Sequence, residues 1–354
     1  MWGQSKEIRE CGARPRNGTA RAHHAAEMIE GKILNEVVAT DWVEKPYKLN
    51  FYFGEFFVCA FRFRALVLDV YFARLSPDFA GAQPPVDKLT GATEVLCLPS
   101  VPVEKTLPRI SFGPASIRYV QAQYPRYYVE TRGTFADYLQ KFSGKTRREL
   151  TRQIGKFEKD SGGTIVWREF RHPGEMAEFQ RLAREVSKKT YQERLLNLGI
   201  PDTAEYRTEL EEMARADRMR GYILFFGDTP IVFHLCFVQD DNLLGQKIGY
   251  DPAFRKYSPG TLEQYLLIEK LFAEKRFERF DFGGGASSYK EFFATGKALC
   301  ADVFYYRRTV GNLLILTLHS ALAGFSDAAV KLLDRLKLKK RLKSFFRFRG
   351  SNGQ

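Results

Sequence analysis

The sequence predicts an α+β fold (mixed α/β): a mainly antiparallel sheet flanked by helices, preceded by a β-rich lobe and followed by an amphipathic basic helix. Three observations carry this expectation. Strand-like and helix-like segments between residues 163 and 308 follow the order β-α-α-β-β-β-α-β-α-β. Aromatic and β-branched runs fill residues 49–121, broken by Pro-rich stretches at 76–86 and 99–108. Apolar and basic residues interleave at helical spacing over residues 311–349.

Residues 1–27 carry Arg9, Arg14, Arg16 and Arg21 among Gly and Ala, with no apolar h-region. They read as a disordered leader without a signal peptide, and Met28 reads as an alternative start. The β-rich lobe, residues 28–125, holds the runs 49–60, 61–73, 94–98 and 110–121. A helix is expected over 134–159. Lys141, Lys145, Arg148, Arg152, Lys156 and Lys159 form a basic face, and Phe135, Leu139, Phe142, Leu150, Ile154 and Phe157 an apolar stripe. That basic face is either solvated or a contact for phosphate or anionic lipid. A strand at 163–170 and helices at 174–188 and 202–218 follow. Asp202-x-x-Glu205 opens the second helix in capping-box fashion. Strands at 222–226, 231–238 and 243–250, joined by Gly- and Asp-rich turns, make an antiparallel meander. Helix 261–275 and strand 277–282 add one right-handed βαβ crossover. Helix 286–294 and strand 299–308 complete a domain at 126–310, and residues 311–354 form the tail.

A length of 354 residues suggests two domains, and 44% hydrophobic content is ample for their cores. The net charge of +13 is local: residues 331–349 hold nine Lys/Arg against Asp334, so +8 sits there and +5 elsewhere. This does not describe a whole-protein nucleic-acid binder. Five scattered cysteines and five histidines show no metal spacing, which points to free thiols in a reducing compartment and to no metal. No apolar run reaches the roughly 18–20 residues that span a bilayer.

Residues 249–293 are the most informative stretch. A strand ends near Tyr250, a helix starts at Ser258-Pro259-Gly260-Thr261, and a second strand runs through Asp281 into three glycines beside Tyr289 and Lys290. Free N–H groups at a helix start can hold a pyrophosphate, so Ser258, Pro259, Gly260 and Thr261 are candidate cofactor contacts. Proline at the first helical position equally describes an ordinary helix start.

This wording resembles the GNAT acyltransferase superfamily, and within it the bacterial CelD/BcsL-like branch related to FemAB aminoacyl transferases. The resemblance rests on residues 142–150, on Lys189-Thr190-Tyr191-Gln192, on Tyr250-Asp251-Pro252, on Ser258-Pro259-Gly260-Thr261, on Phe280-Asp281-Phe282-Gly283 and on Tyr289-Lys290. It covers about half the chain. It implies a GNAT-like sheet, with the first lobe either a degenerate GNAT-like partner or only a β-rich companion. It implies a GNAT-type N- or O-acyltransferase; the scattered cysteines put it in the cytoplasm, and a membrane-lying tail would hold it at the inner face of the membrane. The co-substrate would be an acyl-CoA or acyl carrier protein thioester, and the acceptor an amine or hydroxyl of an envelope glycan or lipid precursor. Ser-Pro-Gly-Thr stands where most GNAT enzymes carry an Arg/Gln-x-x-Gly-x-Gly/Ala loop. That departure leaves the donor open among acyl-CoA, an acyl carrier protein and, as in FemAB enzymes, an aminoacyl-tRNA. A separate alternative is a non-catalytic protein that keeps the fold and recruits polysaccharide machinery to the membrane.

His234 lies on one strand face with Val232, Cys236 and Val238; it is either a general base or a buried core histidine. Asp281 ends a strand beside a glycine turn, as a reactive group or a helix cap. Tyr289 could protonate a leaving thiolate, and Lys290 could neutralise phosphate or an oxyanion. Gln246, Lys247 and Tyr250 lead into the cofactor loop. Tyr191 and Gln192 are acceptor contacts by resemblance alone. The tail, 311–349, reads as a helix lying on an anionic membrane surface or as a solvated tail.

Overall fold

The structure is a computed structural model and describes residues 42–53, 56–70, 86–89, 91–190 and 199–335. The leader, Tyr191, Gln192 and residues 336–354 lie outside the described residues. The fold is α+β, built on one mixed eleven-stranded sheet with helices on its faces.

The first lobe supplies β1 (Trp42–Phe53), β2 (Phe56–Leu68), β3 (Val95–Pro102) and β4 (Ile110–Phe112). The long β5 (Ser116–Glu130) crosses the 125/126 boundary expected between domains. The expected runs 49–60 and 61–73 are corrected: β1 ends at Phe53 and β2 begins at Phe56, so the break between them falls before residue 60. The unbroken aromatic content on both sides hid the break.

The single helix expected over 134–159 is two. α1 (Phe135–Leu139) is held by a Thr134/Asp137 capping box. α2 (Gly144–Asp160) starts at Ser143, whose side chain accepts from the Thr146 N–H. Arg147 Nη1 donates to the carbonyl of Phe142 at 3.0 Å, so the break leaves that acceptor satisfied. After β6 (Trp167–Phe170) come α3 (Met176–Ser187) and α4 (Ala204–Arg215). The cap of α4 is Thr203, not Asp202: its side chain accepts from the Tyr206 N–H.

The meander is β7 (Met219–Phe226), β8 (Thr229–Gln239) and β9 (Asn242–Tyr250). A 3-10 turn (Pro252–Tyr257) leads into α5 (Pro259–Glu274), and β10 (Arg279–Gly284) returns parallel to β9. Then come α6 (Ser288–Phe293), β11 (Gly296–Arg307) and α7 (Val310–Arg335). Sheet order is β1-β2-β3-β11-β5-β10-β9-β8-β7-β6, with β4 on β5. Period-2 alternation sorts the meander. Tyr222 and Cys236 face α5 with Leu267 and Leu271; Ile223, Phe233 and Leu235 face α3 and α4 with Phe179 and Leu210.

The amphipathic basic helix expected over 311–349 is not what the described residues form. α7 carries no charged residue from Val310 to Phe325 and packs on β1 through Leu316 and His319. Seven of the nine basic residues lie outside the described residues. No helix among the described residues is long and apolar enough to cross a membrane.

Candidate functional site

The site begins where two strands part. β9 and β10 pair for three residues only, Asn242–Leu244 with Arg279–Asp281. β10 is paired with β5 along its length, from Arg279–Glu130 to Gly284–Arg126, with an irregularity after Asp281. β9 stays with β8 as far as Tyr250–Val232. The β8–β9 register slips between Leu235–Lys247 and Cys236–Gly245, which makes Gln246 the extra residue of a bulge. Asp251 N–H donates to the Ile231 carbonyl at 2.8 Å. Alternation from that pair turns the N–H groups of Ile248 and Tyr250 away from β8, into the gap.

A cavity of about 330 Å³ opens at this gap. Ser187, Thr190 and Phe233 line it from the α3 side; His234, Gln264, Phe280, Phe282, Tyr289 and Lys290 line it from the other; Gly245, Gln246, Lys247 and Ile248 form its β9 wall.

His234 is buried, with Nδ1 3.3 Å from Glu263 Oε1. Glu263 is fully buried, and its Oε2 accepts from Trp167 Nε1 at 2.5 Å. Trp167 in turn stacks flat on Tyr222. An ionised carboxylate only accepts, so Glu263 assigns the proton to Nδ1 and leaves Nε2 with its lone pair. Nε2 faces Gly245: a Cβ built there would stand 3.2 Å from it. Glycine at 245 therefore keeps the ring nitrogen open to the cavity. Gln264, the next residue on α5, is buried, and its Oε1 has no partner among the described residues. A buried acceptor left open on a cavity wall is suited to a donor brought by a ligand.

The other expected residues divide. Tyr289 and Lys290 reach the cavity. Burial pushes the Tyr289 phenol up, which keeps it protonated and able to donate. Burial pulls the Lys290 ammonium down, while Asp281 opposes that shift. Its Nζ is tied to the carbonyls of Gly283 at 3.1 Å and Gly284 at 2.7 Å. Lys247 lines the cavity and donates to the Gly199 carbonyl at 3.0 Å. Tyr250 sits at the open end of β9, partly exposed.

Asp281 does not join them. Phe280 and Phe282 take the cavity side of β10, so Asp281 faces the opposite side. There it meets Arg126 Nε at 2.6 Å and accepts the Gly283 N–H at 2.7 Å. The helix start at Ser258-Pro259-Gly260-Thr261 is also not part of the cavity wall. Ser258 is left-handed (φ 51°), Pro259 has no N–H, and Thr261 N–H donates back to the Ser258 carbonyl. Gly260 is left as the open N–H of that turn, and a Cβ on it would meet nothing within 4 Å.

Sequence reasoning missed Glu263, Gln264, Gly245 and Trp167. One signal was present for the acid: Glu263 stands four and eight residues before Leu267 and Leu271, on the buried stripe of an apolar helix. A carboxylate there needs a partner.

Residues 144–291 match the family model of an acetyltransferase (GNAT) domain. A GNAT domain is thus present, and it contains β9, α5, β10 and the whole cavity wall. The fold is also similar to solved structures. FemX is 10% identical over 79% of this chain and 91% of its own, with a TM-score of 0.47. L-PGS from Bacillus licheniformis is 13% identical over 82% and 95%, with a TM-score of 0.42. No curated protein matches the sequence.

Proposed function

We propose that this chain transfers an acyl group from an acyl-CoA-type or carrier-protein thioester to an amine or hydroxyl of an envelope glycan or lipid precursor, as expected for the CelD/BcsL-like branch. The observation that carries the reading is His234 Nε2, oriented by Glu263 and left open by Gly245 at the gap between β9 and β10. The acceptor's nitrogen or oxygen attacks the thioester carbonyl carbon as Nε2 takes its proton. The N–H groups of Ile248 and Tyr250 face the developing oxyanion. The C–S bond then breaks, and the Tyr289 phenol is placed to protonate the departing sulfur. Holding both reactants in one cavity supplies much of the rate without a covalent enzyme intermediate.

A second reading follows from the helix start. One open N–H at Gly260 is a meagre cradle for a pyrophosphate, which favours a donor without one at that place, such as an aminoacyl ester on tRNA. The same His234 chemistry serves both. Native mass spectrometry of the full chain with acyl-CoAs, acyl carrier proteins and charged tRNA separates them. Retention of an acyl-CoA or acylated carrier, lost in Gly260→Glu, supports the first. Retention of charged tRNA alone moves the assignment to aminoacyl transfer. Binding of none of the three, with no transfer, overturns both.

A further inference from the structure

A bulge in β9 gives the cavity a cation on its α3 side. Strand alternation alone would put Gly245 and Lys247 on one face of the sheet. The extra residue at Gln246 breaks that parity. Gly245 pairs with Cys236, which faces α5, while Lys247 pairs with Leu235, which faces α3 and α4. Lys247 therefore lines the cavity from the α3 side. It stands two residues, roughly 6–7 Å, along β9 from the glycine that keeps His234 Nε2 open.

Lys247 has no carboxylate there. Its Nζ donates to the Gly199 carbonyl at 3.0 Å. Among the described residues, no Asp or Glu lines the cavity and none pairs with this lysine. Lys189, next to the cavity-lining Thr190, already holds Glu185 and Asp251, at 3.8 and 3.1 Å. An ammonium half-buried without an acid is suited to an anion that arrives with a ligand.

The surroundings act in the same direction. Ile200, the neighbour of Gly199, donates its N–H to Ser187 Oγ at 3.0 Å, which sets Lys247 at the C-terminal end of α3. A groove of about 540 Å³ lies on the same side. Five basic residues line it, among them Arg181, Lys188 and Arg207, against Glu185 and Asp202. Residues 191–198, outside the described residues, contain one acid and one base and do not change that balance. The end of α3 supplies only about half a negative charge. A field of this sign draws anions to the α3 side.

We infer that Lys247 is a specificity residue for the acceptor: it pairs with a carboxylate or phosphate that the acceptor carries a few bonds from its reacting amine or hydroxyl. The inference rests on the transferase reading of the cavity. There the departing sulfur is assigned to Tyr289 on the α5 side, which leaves the α3 side to the acceptor. Acceptors with the same amine or hydroxyl and no acid are poor ligands.

Calorimetry of the full chain without donor tests this. Glucosamine, glucosamine 6-phosphate and glucosaminic acid share an amine and differ in their anion; glycerol and glycerol 3-phosphate form the hydroxyl pair. An acid-bearing member should bind about tenfold tighter or more than its neutral counterpart, as one charge-assisted hydrogen bond provides. The tighter of phosphate and carboxylate names the anion. Lys247→Gln should bring both affinities within about twofold with the fold kept, since the lysine has no ion pair to lose. Lys247→Glu should reverse the order of glucosamine and its phosphate, which a structural role would not do. Equal or undetectable affinities in the wild type overturn the inference, as does a preference that survives Lys247→Gln. Loss of coenzyme A binding in Lys247→Gln with the acceptor preference intact would assign the lysine to the donor instead. Because no donor is present, an absence of acyl transfer beside an intact preference would overturn the proposed reaction and leave this site standing.

Discussion

At the scale of single residues, the site turns on one imidazole and the two neighbours that fix it. His234→Gln removes the lone pair at Nε2 and should lower kcat by about a hundredfold or more, with KM little changed. Glu263→Gln can present its amide N–H₂ to Nδ1 and so reverse the tautomer, placing a proton on Nε2. Turnover should fall while far-ultraviolet circular dichroism stays native; wild-type rates in both variants would remove the base from the proposed mechanism. Gly245→Ala sets a methyl 3.2 Å from Nε2 and 3.5 Å from the Asp281 carbonyl. Acceptor turnover should drop while the unfolding midpoint moves by only a few degrees, and full activity in this variant would place the reacting atoms elsewhere. Of these residues His234 was legible in the sequence, because alternation put it on a defined strand face. Gly245 was not: its role depends on which atom of another strand faces its missing Cβ.

At the scale of elements, α7 carries a titration. His319 Nδ1 accepts from the Tyr119 hydroxyl at 2.5 Å and its Nε2 donates to the Asn50 carbonyl at 3.1 Å, an arrangement that needs the neutral ring. Burial holds the His319 pKa below its ordinary 6.5, against the raising effect of the Asn50 carbonyl. The folded-state pKa is the lower one, so the unfolded chain binds the proton more readily. Stability from the neutral ring is therefore complete above about pH 6.5 and is lost as pH falls toward the folded pKa. Denaturant unfolding between pH 7.5 and 5.5 should show this loss, and His319→Gln should flatten the difference. An identical slope in both proteins would show that other groups set it. β7 and α3 make a second test. A Cβ at Gly221 would lie 2.5 Å from the ring of Phe179 in a dry core, so Gly221→Ala should destabilise by about 1–3 kcal/mol. The elements themselves were largely legible: β7, β8, β9, α5 and β10 stand within a few residues of where period and turn chemistry put them. The break between α1 and α2 was not, because the heptad-like stripe continues in sequence across a cap that only Ser143 and Arg147 reveal.

At the scale of the whole molecule, the two halves share a pairing pattern. β1–β2 is antiparallel, β2–β3 parallel and β3–β11 antiparallel; β8–β9, β9–β10 and β10–β5 repeat that series. β11 and β5 join the halves along twelve paired positions, too long a seam for the lobes to move as loosely linked domains. We propose on this pattern that the first lobe is a GNAT-like partner of the second. A partly buried polar chain crosses the seam: Asp281 to Arg126, Arg126 to Ser100, Ser100 to Tyr124, Tyr124 to Asp302. Removing one member of a buried ion pair strands the other charge, so Arg126→Ala should cost about 3–5 kcal/mol. Tryptophan fluorescence and circular dichroism should still report one coincident transition. Two separated transitions in the wild type would show that the halves unfold independently.

The sequence by itself determined what is local. Alternation, caps and turn residues set the elements of residues 163–308, and the Ser-Pro-Gly-Thr start, the glycine-ended strand and Tyr289-Lys290 marked the region of the site. Tertiary structure decided what depends on direction and distance. Asp281 lies one residue from Phe280 and Phe282, yet the pleat sends it to Arg126 on the other face of the sheet. Glu263 and His234 are 29 positions apart, and only the βαβ crossover lays α5 over β8 so that one holds the other's proton. The lone pair of His234 is available because two strands separate at Leu244 and a glycine follows, and neither a strand's neighbour nor the point where it leaves is encoded in a period.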